Sequence, residues 1–389
     1  MARLGTPSLD AEVIVVGAGT AGAAAAYHCA KGGLSTICLE RGSLDTAGAK
    51  WLNGVPRWLF AEAGIPIPEF PESRSAGGPF HLVAGWGLAS VCLKDQSDDD
   101  LMEVDMRFLV ARLQRMAMDA GVRFCANTRV TEVRDRSGGV EVETPDGVLR
   151  ARWLVDASGL HGMTASTQVV PEDLCAAAQQ VRAVTDVRQA EAFFASHGAK
   201  SGDILCFTGI SGGFSIVNVR LEIANEGEAT HQGSENQAML SLLTGSLPGR
   251  GFDSGSVLLK RFVESHSWIG PRLFGGSRAI PIGGPDLVLC DRVVARVGDV
   301  AGQVFAAHGS GIGAGLTAAR LLGETLSRGG TPWDYNCEWQ RRWGGLFASS
   351  AHFADFSSDL TAEDLRRLMT RGLIRPNVAR QGLMQKPVK

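Results

Sequence analysis

The chain has 389 residues, 44% of them hydrophobic and 20% charged, with a net charge of −3. That length buries a core without help from metals or disulfides, and the charge lacks the basic excess of a nucleic-acid binder. The eight cysteines form no C-x-x-C pair and no zinc-spaced group, and no signal peptide or membrane span is read, so a cytoplasmic protein without a metal site is expected.

Residues 12–16 form a β-branched run that predicts a buried parallel strand. Gly17-Ala18-Gly19-Thr20-Ala21-Gly22 follows at once, and the Ala-rich stretch 23–31 predicts a helix stopped by Gly32-Gly33. Residues 34–39 predict a second strand that ends at Glu40. Strand, glycine turn, helix and strand in this order make a dinucleotide-binding unit. Gly17 permits the tight turn, Gly19 admits a pyrophosphate to the backbone, and Gly22 lets helix and strand pack closely. The helix N-terminus offers unpaired N–H groups to the phosphates. Glu40, 23 residues after Gly17, is placed to accept hydrogen bonds from a ribose diol.

Residues 43–100, mixed in character, predict loops and short helices over a ligand. Helical spacing marks 105–120, and alternating segments 129–134, 140–144 and 148–155 predict a β-meander returning to the first sheet. Strand-like pieces at 203–207, 213–221 and 257–262 predict a second, sheet-containing domain. Residues 293–298 predict a further buried strand, 312–327 a helix, and the segment beyond Gly329 a helical tail rich in Trp and Arg. The expected class is α/β: a Rossmann-like nucleotide domain with a β-meander (1–165 and 285–330), a substrate domain (166–284) and a helical C-terminal segment (331–389).

Four segments carry a family resemblance. Val297-Gly298-Asp299-Val300-Ala301-Gly302 resembles the Gly-Asp motif of flavoproteins whose aspartate holds the ribityl chain. His308-Gly309-Ser310-Gly311-Ile312-Gly313-Ala314-Gly315 resembles the segment that docks the flavin's pyrimidine edge at a helix N-terminus. Asp156-Ala157-Ser158-Gly159 is similar to their second Asp-Gly segment, and Arg107 to an arginine near the flavin. Over about residues 10–165 and 285–345 the chain resembles the superfamily of p-hydroxybenzoate-hydroxylase-like monooxygenases, geranylgeranyl reductases and flavin-dependent halogenases. The resemblance implies non-covalent FAD, with NADH or NADPH as transient reductant. It implies cofactor contacts from Gly17, Gly19, Ala21, Gly22, Glu40, Arg41, Arg107, Val130, Asp156, Gly159, Asp299, Gly309, Gly311, Ile312 and Gly313.

Within the superfamily, halogenases carry a substrate-side lysine and a Trp-x-Trp-x-Ile-Pro segment. Here Gly77-Gly78-Pro79-Phe80-His81-Leu82 holds His81 instead, the nearest lysines are Lys50 and Lys94, and only Ile280-Pro281 remains of the second signature. The Cys-Gly-Gly-Gly element and Trp-x-Phe-Pro lid of geranylgeranyl reductases are absent, although the tail resembles theirs. The expected activity is therefore monooxygenation of an aromatic or indole substrate through a flavin C4a-hydroperoxide, in a small molecule or in a tryptophan of a partner protein during quinone-cofactor biogenesis. A reductase, a halogenase and a non-enzymatic FAD-binding scaffold are the alternatives. His308 and His81 are the candidate acid–base groups, with His161 a third histidine considered, and Trp51, Trp58 and Trp86 are candidates for an aromatic lining.

Overall fold

The computed structural model describes residues 9–74, 79–93, 101–164, 169–223 and 238–386. Its first unit follows from the apolar run and the glycine turn. Strand β1 (Ala11–Val16) leads through that turn into helix α1 (Thr20–Lys31) and strand β2 (Thr36–Leu39). Two strands and a short helix follow in the segment expected to be loops: β3 (Leu52–Pro56), α2 (Arg57–Glu62) and β4 (Ser73–Arg74). Strands β5 (Phe80–Ala84), β6 (Ser90–Leu93) and β7 (Leu101–Asp105) precede helix α3 (Met106–Asp119), which begins where Asp105 accepts the Arg107 N–H. Then come β8 (Arg123–Cys125) and the meander of β9 (Glu132–Arg136), β10 (Gly139–Thr144) and β11 (Gly147–Asp156).

These strands order as β8-β2-β1-β11-β10-β9. Pairing is parallel from β8 to β11 and antiparallel through the meander. Val13, Ile14 and Val15 of β1 are fully buried, as expected of a strand covered on both faces.

The second sheet contains β12 (Leu174–Val184), then, beyond helix α4 (Val187–Ser196), β13 (Ile204–Thr208), β14 (Ile216–Glu222) and β15 (Met239–Ser246). Helix α5 (Gly255–Glu264) separates these from β16 (Ile269–Pro281). Their order is β16-β12-β15-β14-β13-β5-β6, so β5 and β6 reach in from the first third of the chain to form one edge. A small third sheet, β3-β7-β4, pairs with neither, but the Gln179 side chain of β12 bonds the Leu52 backbone of β3 twice. Residues 257–262, expected as strand, lie inside α5. Ser254 caps that helix, and Leu258, Leu259 and Phe262 are buried at helical spacing, a period the strand reading overlooked.

Strand β17 (Val294–Arg296) returns to the first sheet beside β11. Helix α6 (Ile312–Ser327) then packs against α1 so closely that a Cβ on Gly323 would lie 2.5 Å from that of His28. The tail continues as α7 (Pro332–Trp339), α8 (Gly345–Ser358), α9 (Ala362–Thr370) and α10 (Pro376–Leu383). No described helix is long and apolar enough to cross a membrane.

Candidate cofactor cleft

The glycine turn is shaped by contact as well as by conformation. Gly17 has φ +99°, and a Cβ there would lie 2.5 Å from the Ala157 carbonyl oxygen; one on Gly22 would lie 1.8 Å from that of Gly17. The turn is thus wedged between β11 and its own helix, bringing the α1 N-terminus to the C-terminal end of the parallel strands, where α/β sheets bind ligands. Glu40 secures it from β2: its carboxylate accepts the Ala18 N–H at 2.9 Å and the Gly42 N–H at 3.1 Å.

A cleft opens there. Gly19, Thr20 and Ala21 line it from α1, Ala157 and Gly159 from the loop after β11, and Gly298, Asp299, Gly309, Gly311, Ile312 and Gly315 from the segment around the start of α6. Ala49, Trp51 and Asn53 close one side, and Arg278 and Ile280 of β16 another. Two helix N-termini therefore face one space. Elsewhere Asp105, Asp186, Ser254, Thr331 and Thr361 cap helices with their side chains, but Gly19 and Gly311 leave α1 and α6 without one. Their first-turn N–H groups are available to an anion or carbonyl.

Asp299 sits in a turn fixed from below. Gln303 Oε1 accepts the Gly298 N–H at 2.8 Å, and its Nε2 donates to the Tyr335 hydroxyl at 2.8 Å. That hydroxyl donates in turn to the Arg296 carbonyl at 3.2 Å. Burial pushes the Tyr335 phenol well above its ordinary pKa, so the O–H keeps its proton and the chain of bonds its direction. Asp299 itself pairs with Arg278, Nη2 to Oδ2 3.0 Å.

The residues fit a flavin dinucleotide. The glycine-paved floor admits a flat ring, and the two N-termini suit a diphosphate and the carbonyl edge of the ring. The Trp51 indole N–H, on the cleft wall, is buried with no acceptor among the described residues.

Several expected site residues lie elsewhere or act otherwise. Asp156 is fully buried, and both its oxygens are taken locally, by the backbone and hydroxyl of Ser158 and of Thr164. It orders the loop rather than facing the cleft. A Cβ on Gly313 would lie 2.2 Å from Leu59 Cδ1, so this glycine serves the packing of α6 on α2. Val130 belongs to the core beneath the meander. Arg41 is exposed and outside the cleft lining. Arg107 forms a two-pronged pair with Asp105, at 2.9 and 2.6 Å, and its guanidinium lies 4.4 Å from the Phe274 ring centre.

Nor do the two candidate histidines line the cleft. His81, on β5, lies in the second sheet with Nε2 3.1 Å from an Asp203 oxygen. His308 immediately precedes the cleft-lining Gly309; its Nε2 is buried without a protein partner, and burial lowers its pKa to about 4 despite the nearby Gly382 carbonyl. Trp58 instead donates to the Met384 carbonyl, and Trp86 stacks on Phe262. Gly77, Gly78, Lys94 and the His161 side chain lie outside the described residues. The reading from sequence missed Arg278 and the Gln303–Tyr335 support: neither belongs to a motif, and only the pairing of distant strands and helices brings them to Asp299.

Comparisons with known proteins agree with this geometry. A family model described as FAD dependent oxidoreductase matches residues 97–328, and a second of the same description matches residues 12–170. Digeranylgeranylglycerophospholipid reductase 2 of Methanothermobacter thermautotrophicus is 27% identical over 386 residues, covering 92% of this chain and 90% of its own. The crystal structure of a geranylgeranyl bacteriochlorophyll reductase-like protein from Thermoplasma acidophilum superposes with TM-score 0.75 at 15% identity, covering 96% of this chain and 95% of that one. A variant of the halogenase PltM in complex with FAD gives TM-score 0.60 at 13% identity, covering 96% and 85%.

Proposed function

The chain belongs to the FAD-dependent oxidoreductase family, and from that premise we propose that it is a reductase, saturating carbon–carbon double bonds of an isoprenoid substrate. NADH or NADPH serves as reductant of a non-covalently held FAD. The observation that carries this reading over hydroxylation is the character of the cleft. Its only ionisable lining side chains among the described residues are Asp299 and Arg278, and these are paired with each other. The rest is glycine and apolar surface, with the neutral side chains of Thr20, Trp51 and Asn53. A hydride needs such a dry, uncharged path more than it needs an acid–base group. The near full-length likeness to a reductase of polyprenyl lipids supports the same substrate class.

FAD supplies the hydride when bound. The chain's own part is to hold and shield it. Gly19 and the first turn of α1 receive the diphosphate, Glu40 the adenosine ribose, and Asp299 the ribityl hydroxyls. The N-terminus of α6 would offer its N–H groups and positive dipole end to the ring's carbonyl edge. The proton completing each saturation comes from solvent.

Hydroxylation of an aromatic or indole ring, free or as a partner protein's tryptophan, is the second reading. One observation favours it: His308, whose buried Nε2 has no partner among the described residues, immediately precedes the cleft-lining Gly309. A single experiment separates the two. Enzyme reduced under nitrogen is mixed with a geranylgeranyl glycerophospholipid, and the products are weighed by mass spectrometry. The reductase reading expects addition of H2 per double bond without oxygen. A parallel sample of the reduced enzyme receives an aromatic substrate and labelled O2; oxygen incorporation there, with the lipid untouched, would replace it by the second.

A further inference from the structure

The cleft presents an electrostatic problem that its occupant must solve. Asp299 contributes one negative charge to the lining, and Arg278 is the one cationic side chain there among the described residues. Their pairing leaves the site near neutral. A dinucleotide brings a diphosphate with about two further negative charges, against about half a positive charge from the α1 N-terminus. If Arg278 stayed on Asp299, the diphosphate would lack a cationic side chain in the lining.

Arg278 is free to do otherwise. It enters from β16 of the second sheet, and its side chain is 37% exposed. Among the described residues its only partner is Asp299, held by one contact at 3.0 Å rather than a two-pronged fork. Beyond that contact its Nη2 lies 3.7 Å from where a Cβ on Gly159 would stand, so it already overhangs the backbone that borders the cleft. Asp299, for its part, can exchange this partner and stay hydrogen-bonded, because hydroxyl groups of a polyol chain also donate to a carboxylate.

We propose that Arg278 recognises the cofactor's diphosphate, leaving Asp299 when the ribityl hydroxyls replace it there. This rests on the reading of the cleft as an FAD site. The pair is then a placeholder: it keeps the carboxylate satisfied until the cofactor arrives and releases a cation at the moment one is needed. Since Arg278 belongs to the second sheet, the exchange also makes cofactor binding draw on both sheets.

The test compares the dinucleotide with its two parts, ADP, which keeps the diphosphate, and riboflavin, which lacks it. FAD, ADP and riboflavin are titrated into flavin-free protein, parent and Arg278→Met, and binding is read by calorimetry and flavin fluorescence. Loss of charge-assisted hydrogen bonds should weaken FAD and ADP by about 10- to 100-fold, leave riboflavin within threefold (about half a log unit, the resolution of the titration), and be largely restored in Arg278→Lys. FAD affinity of the parent should fall with ionic strength more steeply than that of riboflavin, a result that needs no variant. Unchanged FAD and ADP affinities in Arg278→Met, equal weakening of riboflavin, or identical salt slopes in the parent would each overturn the proposal. A parent that binds neither FAD nor riboflavin would instead remove the FAD reading beneath it.

Discussion

Glu40 builds the glycine turn, and in the proposed cofactor site it would hold the ribose as well. Its oxygens hold the N–H groups of Ala18 and Gly42, and the same carboxylate has lone pairs left for a ribose. Glu40→Ala removes both tasks. It should weaken FAD binding by about 1–3 kcal/mol in a fluorescence titration, and unchanged affinity would deny it the ribose. Two histidines carry a different signature. Burial lowers His28 and His308 from 6.5 to about 4. Between those values the unfolded chain binds protons that the folded chain excludes, so stability is full above neutrality and declines as pH falls from 6.5 toward 4. Melting temperature should follow that curve, and the His28→Asn/His308→Asn double variant should flatten it; equal slopes in variant and parent would exonerate both histidines. The sequence announces Glu40 because its distance from a glycine turn is set within a single βα unit. It is silent on Arg278 because a lone arginine on a strand has no local pattern, and its partner lies 21 positions away, across two sheets.

At the scale of elements, glycine has two unlike roles. Gly22 is a packing residue: a Cβ would come 1.8 Å from the Gly17 oxygen and 3.2 Å from the Ala157 Cβ, with nothing flexible to yield. Gly22→Ala should cost about 3 kcal/mol or more and should also impair FAD binding, since α1 must shift away from the turn. Gly345 sits in helical conformation at the start of α8 with no atom within 4 Å of the Cβ position. Gly345→Ala should therefore gain roughly 0.5–1 kcal/mol from backbone entropy. Thermal melts of the two variants side by side check both signs, and a neutral Gly22→Ala would mean that the turn is not wedged as described. The first of these roles was legible from G-x-G-x-x-G; the second was not. Composition likewise revealed β1, a β-branched run, and α1, an Ala-rich stretch, and helical spacing revealed α3. Periodicity misread 257–262, where four apolar residues in six positions, three of them consecutive, obscure the helical period of α5. It could not foresee that β5 and β6, brief and distant in sequence, would complete the second sheet.

For the molecule as a whole, the tail decides whether the nucleotide unit stands alone. The sequence suggests a separate helical segment after residue 330. The structure makes it part of the core around the cleft. Tyr335 and Trp339 are fully buried, and with Trp343 and Phe347 they join the same apolar cluster as α1 and α6. Tyr335 also holds the Gln303 side chain that fixes the Gly298–Asp299 turn. Burial of these four aromatic side chains contributes on the order of 10 kcal/mol, comparable to the whole stability of a typical domain. Two changes probe this at different strengths. Tyr335→Phe keeps the ring but leaves the Gln303 amide without its acceptor, so it should cost about 1–3 kcal/mol and weaken FAD binding while the fold persists. Removing residues 331–389 should leave an insoluble or loosely packed chain, because the α6 face that Tyr335 and Trp339 cover would meet water. The measurements are a melting curve with FAD titration for the first, and solubility with near-ultraviolet circular dichroism for the second. A truncated chain that stays soluble, keeps its aromatic dichroism and binds FAD as the full chain does would show that the cleft is supported by the sheets alone, and that the buried tyrosine merely fills space.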